Sequence, residues 1–155
     1  MKVGEVLRKE RERKKLDSEK VASYLGVSVD EYQTLEAGVS PVEEWGPKLA
    51  QIAIKLSTPT SRLISETGKS AEAKLTSGQC GQLIAKHREH RKLSHEQLAS
   101  LLSWAPDEVV AIEKGESPLE TYAPLLLRFS EVIDQPIFNL FYPCGLPVEK
   151  LEDYP

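Results

Sequence analysis

The feature that most constrains the fold of this chain is an internal repeat. Gly4 aligns with Gly81, an offset of 77 residues, and the register continues without a gap to Ile64 and Phe141. A gapless register of this length indicates duplication of one structural unit. The predicted organisation is a first copy over 1–65, a linker over 66–77, a second copy over 78–141 and a tail over 142–155. Identical pairs at this offset include Lys9/Lys86, Arg11/Arg88, Glu12/Glu89, Ala22/Ala99, Leu25/Leu102, Glu36/Glu113, Gly38/Gly115, Pro47/Pro124 and Leu63/Leu140.

Apolar residues within each copy recur at helical spacing, and no strand-like alternation competes with them. The fold class is therefore predicted to be all-α. Residues with known preferences for helix ends fall between the apolar groups. These are Asp17 and Ser94 before helix two, Ser28 with Glu31 as a capping box before helix three, and Gly38 and Gly115 after helix three.

A family resemblance is carried by two pairs of segments. They are LDSEKVASYLGVS at 16–28 with LEAG at 35–38, and LSHEQLA at 93–99 with IEKG at 112–115. They resemble the phage-repressor helix-turn-helix regulators, of the Cro/CI or xenobiotic-response-element-like type. The resemblance covers about 3–65 and about 80–141. It implies two five-helix lambda-repressor-like domains in tandem. It also implies that Arg11 pairs with Glu36, and Arg88 with Glu113, as part of the scaffold.

In that family helix three enters the major groove and its early exposed residues contact base edges. Gln33 and Thr34 of the first copy have suitable polar groups, whereas Val110 and Ala111 stand at those positions in the second copy. The DNA-binding residues implied by the resemblance are Lys14, Lys15, Ser18, Lys20, Val29, Asp30, Gln33 and Thr34 in the first copy, and His95, Gln97 and Asp107 in the second.

The charge distribution opposes DNA binding and is uneven between the copies. The chain has a formal net charge of −4, whereas DNA-binding domains usually carry a basic excess. Residues 4–64 balance ten basic against ten acidic side chains, and residues 81–141 carry six against nine. The first copy is therefore the better DNA candidate. Acidic residues expected near the phosphates are Asp30 and Glu31 in helix three, and Glu43, Glu44, Glu116 and Glu120 in the segments after it.

Two interpretations stay open for the basic cluster from Arg8 to Lys15 at the end of helix one. Its cations favour either phosphate binding or a solvated helix end whose charges complement the C-terminal dipole. The acids of helix three likewise have an alternative explanation, because Asp and Glu in a first turn stabilise any helix.

Other classes of function find little support in the sequence. Cys80 and Cys144 form no Cys-x-x-Cys motif, and the spacing of Cys80 with His87 and His90 favours solvent-facing histidines over a metal site. No phosphate-binding glycine loop, nucleophile elbow or paired carboxylates occur, so neither an enzyme nor a cofactor is expected. The absence of a long apolar stretch predicts a cytoplasmic protein without membrane contact.

The matched aromatics Trp45 and Tyr122 near the start of helix four are interpreted as packing residues, with an exposed partner-binding anchor as the alternative. Three helix-breaking residues in the tail, over 142–147, rule out a helical extension, and we expect this segment to lie on a surface or to contact a neighbour.

Two functional hypotheses follow. The first is a DNA-binding transcriptional regulator in which one chain carries two helix-turn-helix modules, the first contacting double-stranded DNA and the second stabilising or recruiting. The second is a protein-interaction module, antitoxin-like or an adaptor, whose partner binds through the second copy. A homodimer is compatible with either hypothesis.

Overall fold

The computed structural model describes residues 1–70 and 78–146. Within these ranges the regular secondary structure is entirely helical, which confirms the all-α prediction. The first copy contains α1 (Val3–Arg13), α2 (Ser18–Leu25), α3 (Val29–Glu36) and α4 (Val42–Leu56), and the second contains α5 (Gln79–His90), α6 (His95–Leu102), α7 (Pro106–Glu113) and α8 (Leu119–Val132).

The fifth element of each copy is a single 3-10 turn rather than an α-helix. These turns span Thr60–Leu63 and Ile137–Leu140, and each follows a proline. The duplication also extends to unusual backbone conformations, since φ is positive at matched residues of the two copies. The matched values are 56° and 58° at Lys15 and Lys92, 75° and 61° at Gly26 and Ser103, and 49° and 55° at Ser57 and Asp134.

The predicted helix starts are confirmed by side-chain caps. Asp17 Oδ1 accepts from the Lys20 amide at 2.7 Å. Ser28 and Glu31 form a capping box before α3, and Ser94 forms one with Gln97 before α6. Because each cap satisfies an amide that the helix leaves unpaired, it contributes about 1 kcal/mol.

Two buried ion pairs join the first helix of each copy to the end of its third helix, as the resemblance implied. Arg11 Nε lies 2.6 Å from Glu36 Oε2, and Arg88 Nε lies 2.6 Å from Glu113 Oε2. The same guanidinium groups donate to the carbonyls of Leu16 and Leu93, so each also anchors the loop after its helix.

The repeated glycines Gly4 and Gly81 lie where these helices cross. A Cβ added at Gly4 would lie 2.3 Å from the Leu35 carbonyl oxygen, and one at Gly81 would lie 2.3 Å from that of Ile112. Neither backbone could accept a side chain at this distance, so the crossing itself requires glycine.

The two copies share one hydrophobic core. Helix α4 packs against α8, and each also packs against the second helix of the other copy, α4 against α6 and α8 against α2. The Tyr32 ring of α3 stacks on Phe129 of α8 with a centroid separation of 6.4 Å. Phe141 packs so closely on α4 that a Cβ at Gly46 would lie 2.6 Å from its ring.

The described part of the predicted linker contacts the second copy. The Ser70 amide donates to Glu131 Oε2 at 2.9 Å, and its hydroxyl donates to Oε1 of the same carboxylate. Residues 71–77 lie outside the described residues. In the tail, Tyr142–Cys144 forms one more 3-10 turn and Leu146 is buried, while residues 147–155 lie outside the described part.

Candidate nucleic-acid interface

Helices α2 and α3 of the first copy pack against each other and are joined by a short turn at 26–28. Helix α2 ends at Leu25, and Gly26 in the left-handed region lets the chain reverse towards α3. Ala22 is fully buried, so the two helices approach closely over a small side chain. Tyr32 and Leu35 point into the core, which turns the opposite face of α3 outward.

The outward face of α3 carries the residues predicted to contact bases. Asp30, Gln33 and Thr34 are exposed, and Val29 at the first helical position is half-buried. The Thr34 hydroxyl donates to the Asp30 carbonyl at 2.9 Å, which leaves its lone pairs available to another donor. The exposed Gln33 side chain makes no hydrogen bond among the described residues, so its amide donors and carbonyl acceptor are available to another molecule.

The predicted phosphate contacts of the first copy lie at the start of α2 and just before it. Lys20 is exposed, Ser18 is half-buried at the first position of α2, and Lys15 is exposed. Lys14 is placed differently, because its ammonium lies 3.2 Å from Asp134 Oδ2 of the second copy. It thus contributes to the contact between the copies.

Much of the basic cluster is paired within the protein. Arg8 lies 3.8 Å from Glu12, Arg13 lies 2.7 Å from Glu10, and Arg11 holds Glu36. In the described part of the chain, Lys9 and Lys15 form no ion pair, so only part of the cluster is free for phosphate.

The corresponding face of the second copy is more covered. Asp107 is exposed, but Val110 and Ala111 are half-buried. The Gln97 side chain accepts from the Ser94 amide at 2.8 Å, so it caps α6. His95 Nε2 lies 3.0 Å from Glu113 Oε1, beside the ion pair with Arg88, and its side chain remains 38% exposed.

Two of the acids expected near DNA have a structural role instead. Glu43 lies in the first turn of α4, and its carboxylate accepts from the amides of Val3 and Gly4, both at 2.8 Å. Glu120 does the same for the start of α5, accepting from Gly78 at 2.6 Å and Gly81 at 2.9 Å. These two carboxylates therefore bind the starts of α1 and α5 within the protein. Sequence reasoning missed this role because the partners lie about forty residues away, although the matched position of the two acids was a signal.

A further cluster, which we call the lysine clasp, joins the copies and was not predicted. Lys48 Nζ of α4 lies 4.4 Å from the Trp45 ring centre and 5.2 Å from that of Trp104, in the turn between α6 and α7. The same ammonium lies 3.2 Å from Glu44 and 3.5 Å from Glu108 of α7. Trp45 is half-buried against the core, in agreement with its packing interpretation.

The histidines and cysteines do not assemble into a metal site within the described residues. His90 is exposed as expected, but His87 is half-buried, and burial together with the charge of Lys86 lowers its pKa. Cys80 is buried, which raises the pKa of its thiol. None of the described helices has the length and apolarity needed to cross a bilayer.

Comparison with protein-family models, with curated proteins and with solved structures returned no match. The kinship with phage-repressor regulators therefore stays a prediction from the residues quoted above.

Proposed function

We propose that this protein is a DNA-binding transcriptional regulator that contacts DNA through α3 of its first copy. The observation that carries the proposal is the contrast in exposure between the two third helices. Asp30, Gln33 and Thr34 are exposed on α3, whereas Val110 and Ala111 are half-buried on α7. At the positions of Gln33 and Thr34, polar groups able to distinguish bases are thus accessible in the first copy, whereas the matched residues of the second copy are apolar.

The internal pairing of acidic residues supports the proposal. Glu36 is neutralised by Arg11, and Glu43 interacts with the positive end of the α1 dipole. Glu36 and Glu43 are therefore not among the free carboxylates that DNA would meet, although Arg11 is lost to phosphate together with Glu36. Lys15 and Lys20 are exposed near the helix-turn-helix unit and provide cations for phosphate.

The test is a fluorescence-anisotropy titration with DNA from the promoter of the protein's own operon. We expect binding that weakens steeply with salt, and a smaller salt slope, by about one, for Lys20→Ala. Gln33→Ala and Thr34→Ala should each weaken binding by about 1–3 kcal/mol.

Asp107→Ala is the matched control from the second copy. It should leave the affinity unchanged or raise it, because removing a carboxylate reduces repulsion of the phosphates. Equal losses from both copies would contradict the asymmetry, and absent or salt-insensitive binding would contradict DNA binding itself.

An alternative, a protein-interaction module, is favoured by one feature of the surface. Tyr24 and Leu101 occupy matched positions on α2 and α6, and they are 60% and 48% exposed. Large exposed apolar side chains at a repeated position suit a protein partner. Under this alternative, Leu101→Ser would abolish capture of the partner, while Gln33→Ala would change nothing.

A further inference from the structure

We propose that a crevice between α3 and α8 binds a small organic cation with one aromatic ring, an arylalkylamine. The crevice has a volume of about 180 Å³. The binding itself is independent of the proposed function, whereas its effect on DNA rests on that function. The crevice is lined by Val27, Glu31 and Thr34 from the first copy, Leu35 and Ser40 behind them, and Thr121, Tyr122 and Leu125 of α8.

The internal repeat provides a direct comparison, because the matched place in the other half is occupied. At the offset of 77 residues, Val27 corresponds to Trp104 and Leu125 corresponds to Lys48. These are the indole and the ammonium of the lysine clasp. One half of the molecule thus fills this space with its own aromatic ring and its own cation, and the other half carries smaller or uncharged side chains there.

The lysine clasp shows which chemistry this geometry favours. Its ammonium lies near two indole rings, and it lies 3.2 and 3.5 Å from the carboxylates of Glu44 and Glu108. A cation over an aromatic face is attracted by the electrons of the ring, and more strongly as water is excluded.

The crevice retains an aromatic ring and a carboxylate of this arrangement but not the ammonium. Tyr122 stands at the position of Trp45, and Glu31 stands at the position of Glu108. Both side-chain hydrogen bonds that the Glu31 carboxylate accepts among the described residues reach Oε1, from the Ser28 amide and hydroxyl. A ligand whose ring contacts Val27, Leu125 and Tyr122 and whose positive group points to Glu31 would replace the indole and the ammonium. The other half of the molecule supplies both from its own side chains.

The size of the crevice suits a ligand with about one ring. A cavity of about 150 Å³ lined by apolar side chains accommodates benzene. The volume of about 180 Å³ therefore accepts a six-membered ring with a short alkylammonium chain.

The position of the crevice gives the ligand a route to the proposed function. Glu31 and Thr34 line it from α3, and Thr34 is also a predicted base contact. A molecule held there would lie beside the outward face of the helix. We therefore expect it to compete with DNA.

The test uses phenethylammonium as the probe, titrated into the full chain and followed by calorimetry and by chemical shifts of Tyr122. The matched neutral probe is 2-phenylethanol, which has the same shape without the charge. We expect phenethylammonium to bind at least tenfold more tightly than the alcohol. Glu31→Gln should remove most of this preference while keeping the capping box, since Gln serves equally at that position.

Val27→Trp copies the duplicate's residue and should abolish binding of both probes, with the helical circular dichroism unchanged. Leu125→Lys is a second variant, which places an internal ammonium near Glu31 and should weaken phenethylammonium alone. No saturable binding at millimolar concentrations, or equal affinity for the alcohol, would overturn the proposal.

The effect of the probe on DNA binding is measured separately. If the protein binds promoter DNA, phenethylammonium should weaken that binding for the wild-type chain and leave Val27→Trp unaffected. Probe binding without DNA binding would contradict the proposed function alone, and DNA binding without probe binding would contradict this inference alone.

Discussion

At the scale of single residues, the two copies fill a matched core position with different side chains. Tyr32 is fully buried, and its hydroxyl has no hydrogen-bond partner among the described residues. The matched residue in the second copy is Val109, which is also buried. An apolar side chain therefore suffices at this position, and the desolvation cost of the Tyr32 hydroxyl is offset only by its interaction with the nearby Arg11–Glu36 pair.

We expect Tyr32→Phe to leave stability unchanged or raise it by up to about 1 kcal/mol at neutral pH. The substitution should also reduce the loss of stability at alkaline pH. Burial raises the pKa of Tyr32 far above its ordinary value, with the Glu36 carboxylate adding to the effect. The phenol therefore ionises first in the unfolded chain, and stability is lost as the pH rises above about 10.

Urea unfolding between neutral and alkaline pH measures both effects. The variant should lose less stability than the wild type at high pH, and Tyr24→Phe, at an exposed tyrosine, should behave as wild type. An identical alkaline loss in Tyr32→Phe would show that another group is responsible.

Gly81→Ala tests the helix crossing. Alanine normally stabilises a helix relative to glycine by about 0.5–1 kcal/mol. Here the added Cβ would lie 2.3 Å from the Ile112 carbonyl oxygen, so we expect a net loss of about 1–3 kcal/mol. The neighbouring exposed Gln82→Ala is the control, with a change within about 0.5 kcal/mol by thermal unfolding. A stabilised Gly81→Ala would mean that the helices separate easily.

At the scale of elements, the position of α7 depends on α4 of the other copy through the lysine clasp. Lys48 is mostly buried between Trp45 and Trp104, while the Glu108 side chain is 41% exposed. Solvent reaches part of the Glu108 side chain, but Oε2, the atom nearest to Lys48, is buried, so the aromatic contacts and this ionic contact stabilise the clasp together.

Lys48→Leu, which copies Leu125 of the duplicate, should cost about 1 kcal/mol, because Glu108 Oε2 is buried and loses its cation. The double variant Lys48→Leu/Glu108→Gln should recover part of this loss. Lys55→Leu, at an exposed lysine of the same helix, is the matched control. Purely additive effects in the denaturation cycle would show that the two side chains do not interact.

At the scale of the whole molecule, the shared core makes the two copies interdependent. Helices α4 and α8 bury residues against each other, and the Tyr32–Phe129 stack crosses between the copies. Separating the copies would expose these surfaces to water at a cost of about 25 cal/mol for every Å² of apolar area.

We therefore expect one cooperative unfolding transition. Native-state hydrogen exchange at the buried residues Ala22 and Ala99 should give the same free energy of opening, since both would exchange through global unfolding. A fragment of residues 1–65 should lose most of its helical signal. Two distinct opening energies, with a folded fragment, would instead indicate independent domains.

The amino-acid sequence by itself determined the helices, their caps and the duplication, and the resemblance to phage-repressor regulators implied the two Arg–Glu pairs. Periodicity and capping are local in the chain, and the repeat made each signal visible twice, at Asp17 and Ser94 or at Gly38 and Gly115. Only the tertiary structure decided how the copies pack, which face of each third helix stays accessible, and that Lys14 and Lys48 join the copies. These features depend on contacts between residues far apart in the sequence. The packing of α4 on α8 creates those contacts, and no periodic or local pattern in the sequence indicates it.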